Sequence, residues 1–373
     1  MFAPSQDSAN GHILFLSDDG ILRAQEFDPG NLKLIGQPVP IAEKVGSANQ
    51  FGYFSASSGG TLIYRHSDGG QRQLVWLNRK GDRVGTVGEP ARFRDGFRIS
   101  PNGQRVAVEI NENGNWDIWV LGLKNSSSTR LTFDPRTDGW PIWSPDGKFV
   151  LFRSERVSTQ CREGTPCGDG IYRVPADGSA ADEVLFHSEF VKYPLDWSSD
   201  GKYLIFADVR PGSSWDLRLL SVQDRKAHQW LTTNHHEWFG RISPDGRWVA
   251  YESNETGSFE VFVRPFTGPT PEGIEPPGGK RQISSRTGGR PIWRADSREL
   301  LYIADNRDLM SVMVSSRSGA SFDFESPQRL FTLPPLTLFE VAEDGSRILT
   351  FLPEESTSSP ITVVLNWEAL LLR

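Results

Sequence analysis

Hydrophobic and polar residues alternate in short runs along most of the chain, and Gly-containing turns separate the runs. Segments such as QRVAVEI, KFVLFRS, KYLIFAD and RWVAYES are runs rich in β-branched and aromatic residues, and these runs alternate with polar residues. Runs of this kind that are bounded by turn residues predict β-strands. Helical periodicity is absent between these runs, so the pattern predicts an all-β fold.

A four-residue turn motif precedes these strands and recurs along the chain. With its glycine, or the equivalent residue, as a marker, the copies lie at positions 11, 59, 103, 147, 201, 246, 297 and 345, spaced 44 to 54 residues apart. The best copies are Ser100–Gly103, Ser144–Gly147, Ser198–Gly201 and Ser243–Gly246. Proline sets φ at the second turn position and glycine accepts a positive φ at the fourth, so each copy predicts a tight reversal between two strands.

A third and a fourth strand follow each reversal, for example Trp116–Val120 and Arg130–Phe133. Four strands repeated at this spacing are typical of the blade of a β-propeller. We therefore predict a single β-propeller of four-stranded antiparallel blades, with eight blades, or seven blades and an irregular piece as the alternative. The predicted propeller spans residues 1–373, with approximate blades at 1–45, 46–90, 91–134, 135–188, 189–233, 234–285, 286–333 and 334–373.

The motifs Trp-Ser-Pro-Asp-Gly, Trp-Asp-Ile-Trp and Arg-Leu-Thr-Phe together resemble the TolB-like branch of WD-type propeller repeats (PD40 repeats). Longer stretches, such as RQLVWLNRKGDRVGTVG and ITVVLNWEALLLR, resemble the propeller region that follows the kinase domain and membrane helix of bacterial, acidobacterial-type serine/threonine kinases. The first resemblance implies a role in envelope assembly. The second implies a detached sensor region, which would lie outside the cytoplasm if the chain derives from a membrane kinase.

The net charge and the hydropathy of the chain limit the kinds of partner that it is expected to bind. The net charge of −7 and the lack of a basic face argue against a nucleic-acid partner. No run reaches the roughly 18 apolar residues that a transmembrane helix needs, so we expect no membrane insertion by this chain. The start, Met1–Ser5, lacks the basic and apolar regions of a signal peptide. The sequence leaves the compartment and the oligomeric state open.

Motifs that would specify an enzyme are absent from the sequence: there is no Gly-x-Ser-x-Gly elbow, phosphate-binding loop, dinucleotide fingerprint or His-Glu-x-x-His helix. We therefore assign no catalytic residue, cofactor or metal, and predict a non-catalytic module that binds a protein, a peptide or a small ligand. The alternatives are an enzyme of the lyase or glycoside hydrolase type with its site in the central channel, and a structural protein.

Aromatic and charged residues recur in the connections that lead into the first strand of successive blades. Such connections surround one mouth of the channel, and mixed aromatic and charged rims are typical of protein recognition. The candidate partner-binding residues are Arg94, Trp140, Tyr193, His235, His236 and Trp238. The alternative is that these aromatic side chains only hold neighbouring blades together.

The two cysteines, Cys161 and Cys167, lie in one loop. They form either a local disulfide, which would imply an oxidising compartment, or a pair of free thiols.

Overall fold

A computed structural model describes residues 1–5, 9–17, 20–48, 51–65, 71–156, 169–210, 214–271, 276–315, 321–334, 338–353 and 361–372. The chain divides into two units, one made of Met1–Gln71 with Pro353–Arg373 and the other of Arg72–Leu352. No helix in the described residues is long and apolar enough to cross a membrane.

The smaller unit contains three sheets. The first is an antiparallel meander of β1 (Phe2–Pro4), β2 (Gly11–Leu16), β3 (Leu22–Asp28) and β4 (Lys33–Ala42). The second is the hairpin of β5 (Ser47–Ala48) and β6 (Phe51–Gly52), and the third has the order β33-β8-β7, from β7 (Phe54–Ala56), β8 (Thr61–Arg65) and β33 (Ile361–Leu365). A 3-10 helix, Trp367–Leu372, follows β33 and buries Trp367 in the core of this unit.

The larger unit contains six four-stranded sheets. Five of them are meanders of consecutive strands: β11 (Phe93–Ile99), β12 (Arg105–Glu112), β13 (Asn115–Gly122) and β14 (Ser128–Arg130); β15 (Asp138–Trp143), β16 (Phe149–Ser154), β17 (Gly170–Pro175) and β18 (Glu183–His187); β19 (Val191–Trp197), β20 (Tyr203–Val209), β21 (Trp215–Ser221) and β22 (Ala227–Leu231); β23 (Glu237–Ile242), β24 (Trp248–Ser253), β25 (Glu260–Pro265) and β26 (Arg281–Gln282); β27 (Gly288–Trp293), β28 (Glu299–Ala304), β29 (Asp308–Met313) and β30 (Gln328–Thr332). A short 3-10 helix, Asp305–Arg307, connects β28 to β29.

The sixth sheet joins distant parts of the chain. Its order is β10-β9-β32-β31, from β9 (Arg72–Asn78), β10 (Arg83–Ala91), β31 (Phe339–Val341) and β32 (Arg347–Pro353). The first strands β11, β15, β19, β23, β27 and β31 contact one another in that sequence, and β31 also contacts β11. The six sheets of this unit therefore form a closed cycle around a channel.

The hydrophobic core lies between neighbouring sheets of the cycle. One cluster joins Ile205 and Leu217 of one sheet to Trp238, Val249 and Phe262 of the next. Because both faces of each sheet are covered in this way, the second strands are almost continuously buried, as in β24. Each sheet therefore depends on its neighbours for its stability.

The repeated turn has the geometry that its residues predict. Gly103, Gly147, Gly201 and Gly246 all have a positive φ, between 63° and 76°. The serine adds contacts that the turn preferences of Pro and Gly do not predict. In the second copy the Ser144 hydroxyl donates to Asp146 Oδ1 at 2.6 Å and accepts from the Phe149 N–H at 2.9 Å. The same pair of bonds recurs at Ser198 and Ser243.

The all-β fold and the four-stranded antiparallel sheet are confirmed. The first of the eight markers, Gly11, begins β2, and each of the other seven lies two residues before the second strand of a sheet, namely β8, β12, β16, β20, β24, β28 and β32. Within the described residues, seven of these eight sheets have four strands and the sheet of β8 has three.

The strands of residues 46–90, expected in one blade, are divided among three sheets, one of which is the hairpin of β5 and β6. β7 and β8 pair with β33 from the end of the chain, whereas β9 and β10 complete the sheet of β31 and β32. The sheet of β9, β10, β31 and β32 therefore pairs strands that lie far apart in the sequence, and it closes the cycle of six sheets.

Candidate functional site

Three first strands of the cycle contain a bulge at the same place. The pairing of β15, β23 and β27 shifts register shortly before each strand ends. In each, the residue three positions before the end has a left-handed backbone: Trp140 (φ 57°), Phe239 (φ 48°) and Arg290 (φ 55°). Such a conformation costs a residue with a side chain roughly 1–3 kcal/mol, and bulges redirect side chains at functional sites. All three side chains line the channel.

The channel has two chambers. We call the one at the bulges the bulge-side chamber; it is lined by Trp140, Pro141, Pro194, Phe239, Arg290 and Pro291, among others. The other, the turn-side chamber, lies among the repeated turns and is lined by Pro101, Pro145, Pro244, Trp143, Trp197 and Trp293, among others. Arg98, Arg241 and Ile292 line both chambers, so they lie between the two.

A charged network crosses the channel at this level. Glu340 Oε1 accepts hydrogen bonds from Arg98 Nη1 and Arg241 Nη2, both at 2.9 Å. Asp196 accepts from the backbone N–H groups of Trp197 and Ile242. The four charged residues occupy equivalent positions, because each is the next-to-last residue of a first strand: Arg98 of β11, Asp196 of β19, Arg241 of β23 and Glu340 of β31. Two arginines and two carboxylates balance their formal charges.

Burial shifts the pKa values of this network. Desolvation, reinforced by the like charge of Arg241, lowers the pKa of Arg98 to about 10. Desolvation also raises the pKa of Asp196, against the attraction of Arg241 and Arg98. Burial alone would favour the neutral forms of these side chains, and the pairing of arginines with carboxylates favours their charged forms.

A cluster of aromatic rings lies at the bulge side of the channel. Trp140 is in edge contact with Tyr193 (centroids 5.1 Å apart) and Trp238 (5.9 Å), and Tyr193 contacts Trp238 at 4.9 Å. Trp215 lies 4.9 Å from Trp238, and Phe239 lies 5.4 Å from it. The aromatic cluster therefore consists of these five rings, with the His236 ring 5.2 Å from Trp215 at its edge.

The cluster has a buried base and an accessible side. Trp238 is only 7% exposed and belongs to the core between two sheets, whereas Trp140, Tyr193 and Phe239 are half-buried and pack against that core. Trp215 is 36% exposed. The accessible rings are thus held in position by a ring that solvent barely reaches.

The structure brings together four of the six predicted site residues: Trp140, Tyr193, His236 and Trp238. Arg94 lies nearby, because its guanidinium is 3.8 Å from Glu109 and Glu109 accepts from the Trp140 N–H at 2.9 Å. His235 is in the same connection as His236, where its backbone N–H donates to Thr233 Oγ1.

The polar groups among these residues have separate partners rather than a common focus. His236 Nδ1 accepts from the Trp215 N–H at 3.1 Å. Tyr193 lies beneath the Arg153 guanidinium, and Arg94 stacks on Trp116 while facing Glu109. Within the described residues, no group of three or more His, Cys, Asp or Glu side chains could hold a metal ion.

Three buried glutamates lie next to the bulges. Desolvation raises the pKa of Glu109 to about 7 and the pKa values of Glu237 and Glu252 to about 8. Glu109 and Glu252 occupy equivalent positions in β12 and β24, and each lies against the bulge of the next sheet, Glu109 beside Gly139 and Glu252 beside Gly289. These carboxyls hold protons far more readily than exposed ones.

Arg290 and Phe239 were not among the site residues predicted from the sequence. Both lie three residues before the large apolar residue that ends the first strand, as Trp140 does. Aligning the repeats on that residue would have found the position, but not its left-handed backbone. Cys161 and Cys167, for which a disulfide and a pair of free thiols were the two alternatives, lie outside the described residues.

Three comparisons with known proteins bear on the fold. Tol-Pal system protein TolB of Anaeromyxobacter dehalogenans (strain 2CP-C) is 33% identical over 72 residues, which is 19% of this chain and 17% of that protein. The uncharacterized peptidase YuxL of Bacillus subtilis (strain 168) is 24% identical over 200 residues, or 43% of this chain and 29% of that protein. The chain thus spans less than a third of the length of either relative.

Among solved structures, one assigned to TolB of Agrobacterium tumefaciens has a similar fold, with a TM-score of 0.53 and 16% identity over 75% of this chain and 97% of that chain. The model of the PD40 family, the TolB beta propeller domain, matches residues 54–264, more than half of the chain. This protein therefore belongs to the TolB β-propeller domain (PD40) family.

Proposed function

We propose that this propeller binds a protein or peptide segment at the bulge-side mouth of its channel and does not transform it chemically. The observation that carries the proposal is the placement of Trp140, Phe239 and Arg290 at three left-handed bulges around one chamber. Backbone strain of this kind persists only where the surrounding structure enforces it, and it is concentrated at functional sites.

The chemistry of the mouth fits recognition. Trp, Tyr and Arg are the residues that contribute most to protein binding, especially when packed around a buried centre. Here Trp140 and Tyr193 rest on the buried Trp238, so little side-chain entropy remains to be lost on binding. A partner would therefore meet rings that are already in place.

A role in an assembly is a more specific form of the same proposal. One relative is named as a protein of the Tol-Pal system. A protein partner would follow from that likeness, and the aromatic mouth offers the surface for it. The predicted link to a membrane serine/threonine kinase rests on the sequence stretches quoted above, and it stays a prediction; the residues encoded upstream of Met1 would test it.

An enzyme is the second candidate, and the glutamates next to the bulges are the observation that favours it. Carboxyls with raised pKa values can act as general acids in clefts. Against this candidate, the side chains of Arg94, Tyr193 and His236 have separate partners, so the proposed site lacks a common point for a reacting atom.

A peptide selection on the purified full chain tests the proposal. We expect selected peptides to bind with affinities that fall at least tenfold in Trp140→Ala, measured by calorimetry. Phe133→Ala is the matched control, because Phe133 is a 70% exposed aromatic residue that stacks on Arg130 outside the cluster. Peptides that bind Trp140→Ala and the wild type equally would refute the proposal.

A further inference from the structure

Arg290 is a cation whose charge its neighbours do not balance. Among the described residues it makes no hydrogen bond and no ion pair within 4.0 Å, and its guanidinium lies over the Phe239 ring, 5.1 Å from the centroid. The other two arginines of the bulge-side chamber, Arg98 and Arg241, are both bonded to Glu340. The donors of Arg290 are therefore the ones available to a ligand.

The carboxyl that faces Arg290 does not neutralise it at neutral pH. Glu252 of β24 lies against the bulge from the neighbouring sheet, and burial raises its pKa to about 8. The other acidic group whose charge acts on Arg290 is Asp95 of β11, and its carboxylate forms an ion pair with Arg72 at 2.8 Å. With the charges of Arg98, Asp196, Arg241 and Glu340 balanced, the chamber has an excess of positive charge.

The shape of the chamber limits what can enter. Three prolines and four aromatic rings line this chamber, and they leave room for little more than a water-sized group. Such a narrow space suits a small polar end group better than a ring or a bulky side chain. A planar carboxylate matches both this space and the fork of donors on a guanidinium.

We propose that the bulge-side chamber binds a single carboxylate through the Arg290 guanidinium, and that this carboxylate is the end group of the ligand held at the aromatic mouth. The inference rests on the proposed function and adds to it the chemical class of the ligand. The carboxylate could belong to the C-terminus of a peptide or to a small organic acid, and the experiment below separates these two sources.

The experiment uses the full chain and three probes: acetyl-Ala-Ala-Ala with a free carboxylate, the same peptide as its C-terminal amide, and acetate. We expect the free acid to bind at least tenfold more tightly than the amide in calorimetry at pH 7. Binding of the tripeptide acid tenfold tighter than acetate would identify a chain end, and equal binding would identify an isolated carboxylate. Equal binding of acid and amide, or binding of neither at millimolar concentration, overturns the inference.

Two variants test the role of Arg290. Arg290→Gln should abolish the preference for the acid, whereas Arg286→Gln, which removes an exposed positive charge from the connection leading into the same strand, should keep it. In the wild type the preference should weaken above pH 8 as Glu252 ionises, and Glu252→Gln should remove this pH dependence. Retention of the preference in a folded Arg290→Gln variant contradicts the inference.

The two proposals fail separately. Mouth-binding peptides from the selection that bind equally well as acids and as amides would refute the carboxylate inference and leave the proposed function standing. Peptides insensitive to Trp140→Ala would refute the proposed function, whatever their end group.

Discussion

Glu109 of β12 accepts a hydrogen bond at 2.9 Å from the backbone N–H of Trp140, the left-handed residue in the next sheet of the cycle. The bond joins two neighbouring sheets at the channel and satisfies an N–H group that the bulge removes from regular strand pairing. Glu109 is fully buried, and its other oxygen has no hydrogen-bond partner within the described part of the chain.

Removing this acceptor should destabilise the fold more than removing its charge. In Glu109→Ala the Trp140 N–H loses its partner, and we expect a loss of about 1–3 kcal/mol in the free energy of unfolding. Glu109→Gln keeps an acceptor oxygen and eliminates the charge, so it should be at least as stable as the wild type above pH 7. Urea denaturation at pH 8 compares the two variants. An equal loss in their free energies of unfolding would show that the hydrogen bond to the Trp140 N–H does not account for the stabilisation by Glu109.

Stability should fall as the pH rises from about 5 to about 8.5. In the unfolded chain Glu109, Glu237 and Glu252 ionise near pH 4.5, whereas in the folded state their pKa values are about 7, 8 and 8. Across this window the folded state binds more protons than the unfolded state, so stability decreases with pH, on the order of 3–5 kcal/mol for each group.

Glu237→Gln should flatten that profile, since it fixes the side chain in a neutral form beside Thr233 and Ser253. The exposed Glu89→Gln is the control and should leave the profile unchanged. Denaturation midpoints measured at intervals of half a pH unit would show both. The turn aspartates do not interfere, because hydrogen bonds from Ser144 and Ser198 lower the pKa values of Asp146 and Asp200, which therefore titrate below this window.

The left-handed backbone at Arg290 predicts an inverted order of stabilities for two small substitutions. Arg290→Gly should be more stable than Arg290→Ala by about 1 kcal/mol, because only glycine adopts a positive φ without cost. At Arg281, an exposed residue of strand β26, alanine should instead be more stable than glycine. Thermal melts of the four variants test this prediction. The same order of the glycine and alanine variants at both positions would show that the backbone of Arg290 is not strained.

Glu340 should be far more important to stability than exposed acidic residues. Glu340→Ala leaves Arg98 and Arg241 without their shared acceptor in a buried place, and we expect a loss of about 3–5 kcal/mol. Glu112 is the matched control, because its side chain is 46% exposed and its carboxylate lies 3.8 Å from the Arg130 guanidinium. In Glu112→Ala we expect the free energy of unfolding to fall by less than about 1 kcal/mol. Similar losses in the two variants would show that the charged network does not hold the channel together.

Much of the architecture could be predicted because it depends on local chemistry. Ser144, Pro145, Asp146 and Gly147 specify a turn among themselves, and the strand after them is recognised from its run of β-branched and aromatic residues. The approximate position of Trp140, Tyr193, His236 and Trp238 followed from the repeat, since equivalent connections lie at one end of the cycle.

Other features depend on contacts between residues far apart in the sequence. No local signal shows that β9 joins β32 whereas β8 pairs with β33, since both are short strands that follow one another closely in the sequence. The left-handed conformation of Arg290 and the raised pKa of Glu252 likewise arise only when one sheet is packed against the next.

The sequence by itself thus determined the repeat, its turns and the strands that follow them, because those are set by the φ preferences of Pro and Gly and by side-chain alternation within a few residues. Only the tertiary structure decided which strands close the cycle, which side chains enter the channel and which carboxyls keep their protons. The reason is physical: strand pairing, desolvation and charge balance depend on the neighbours that packing supplies.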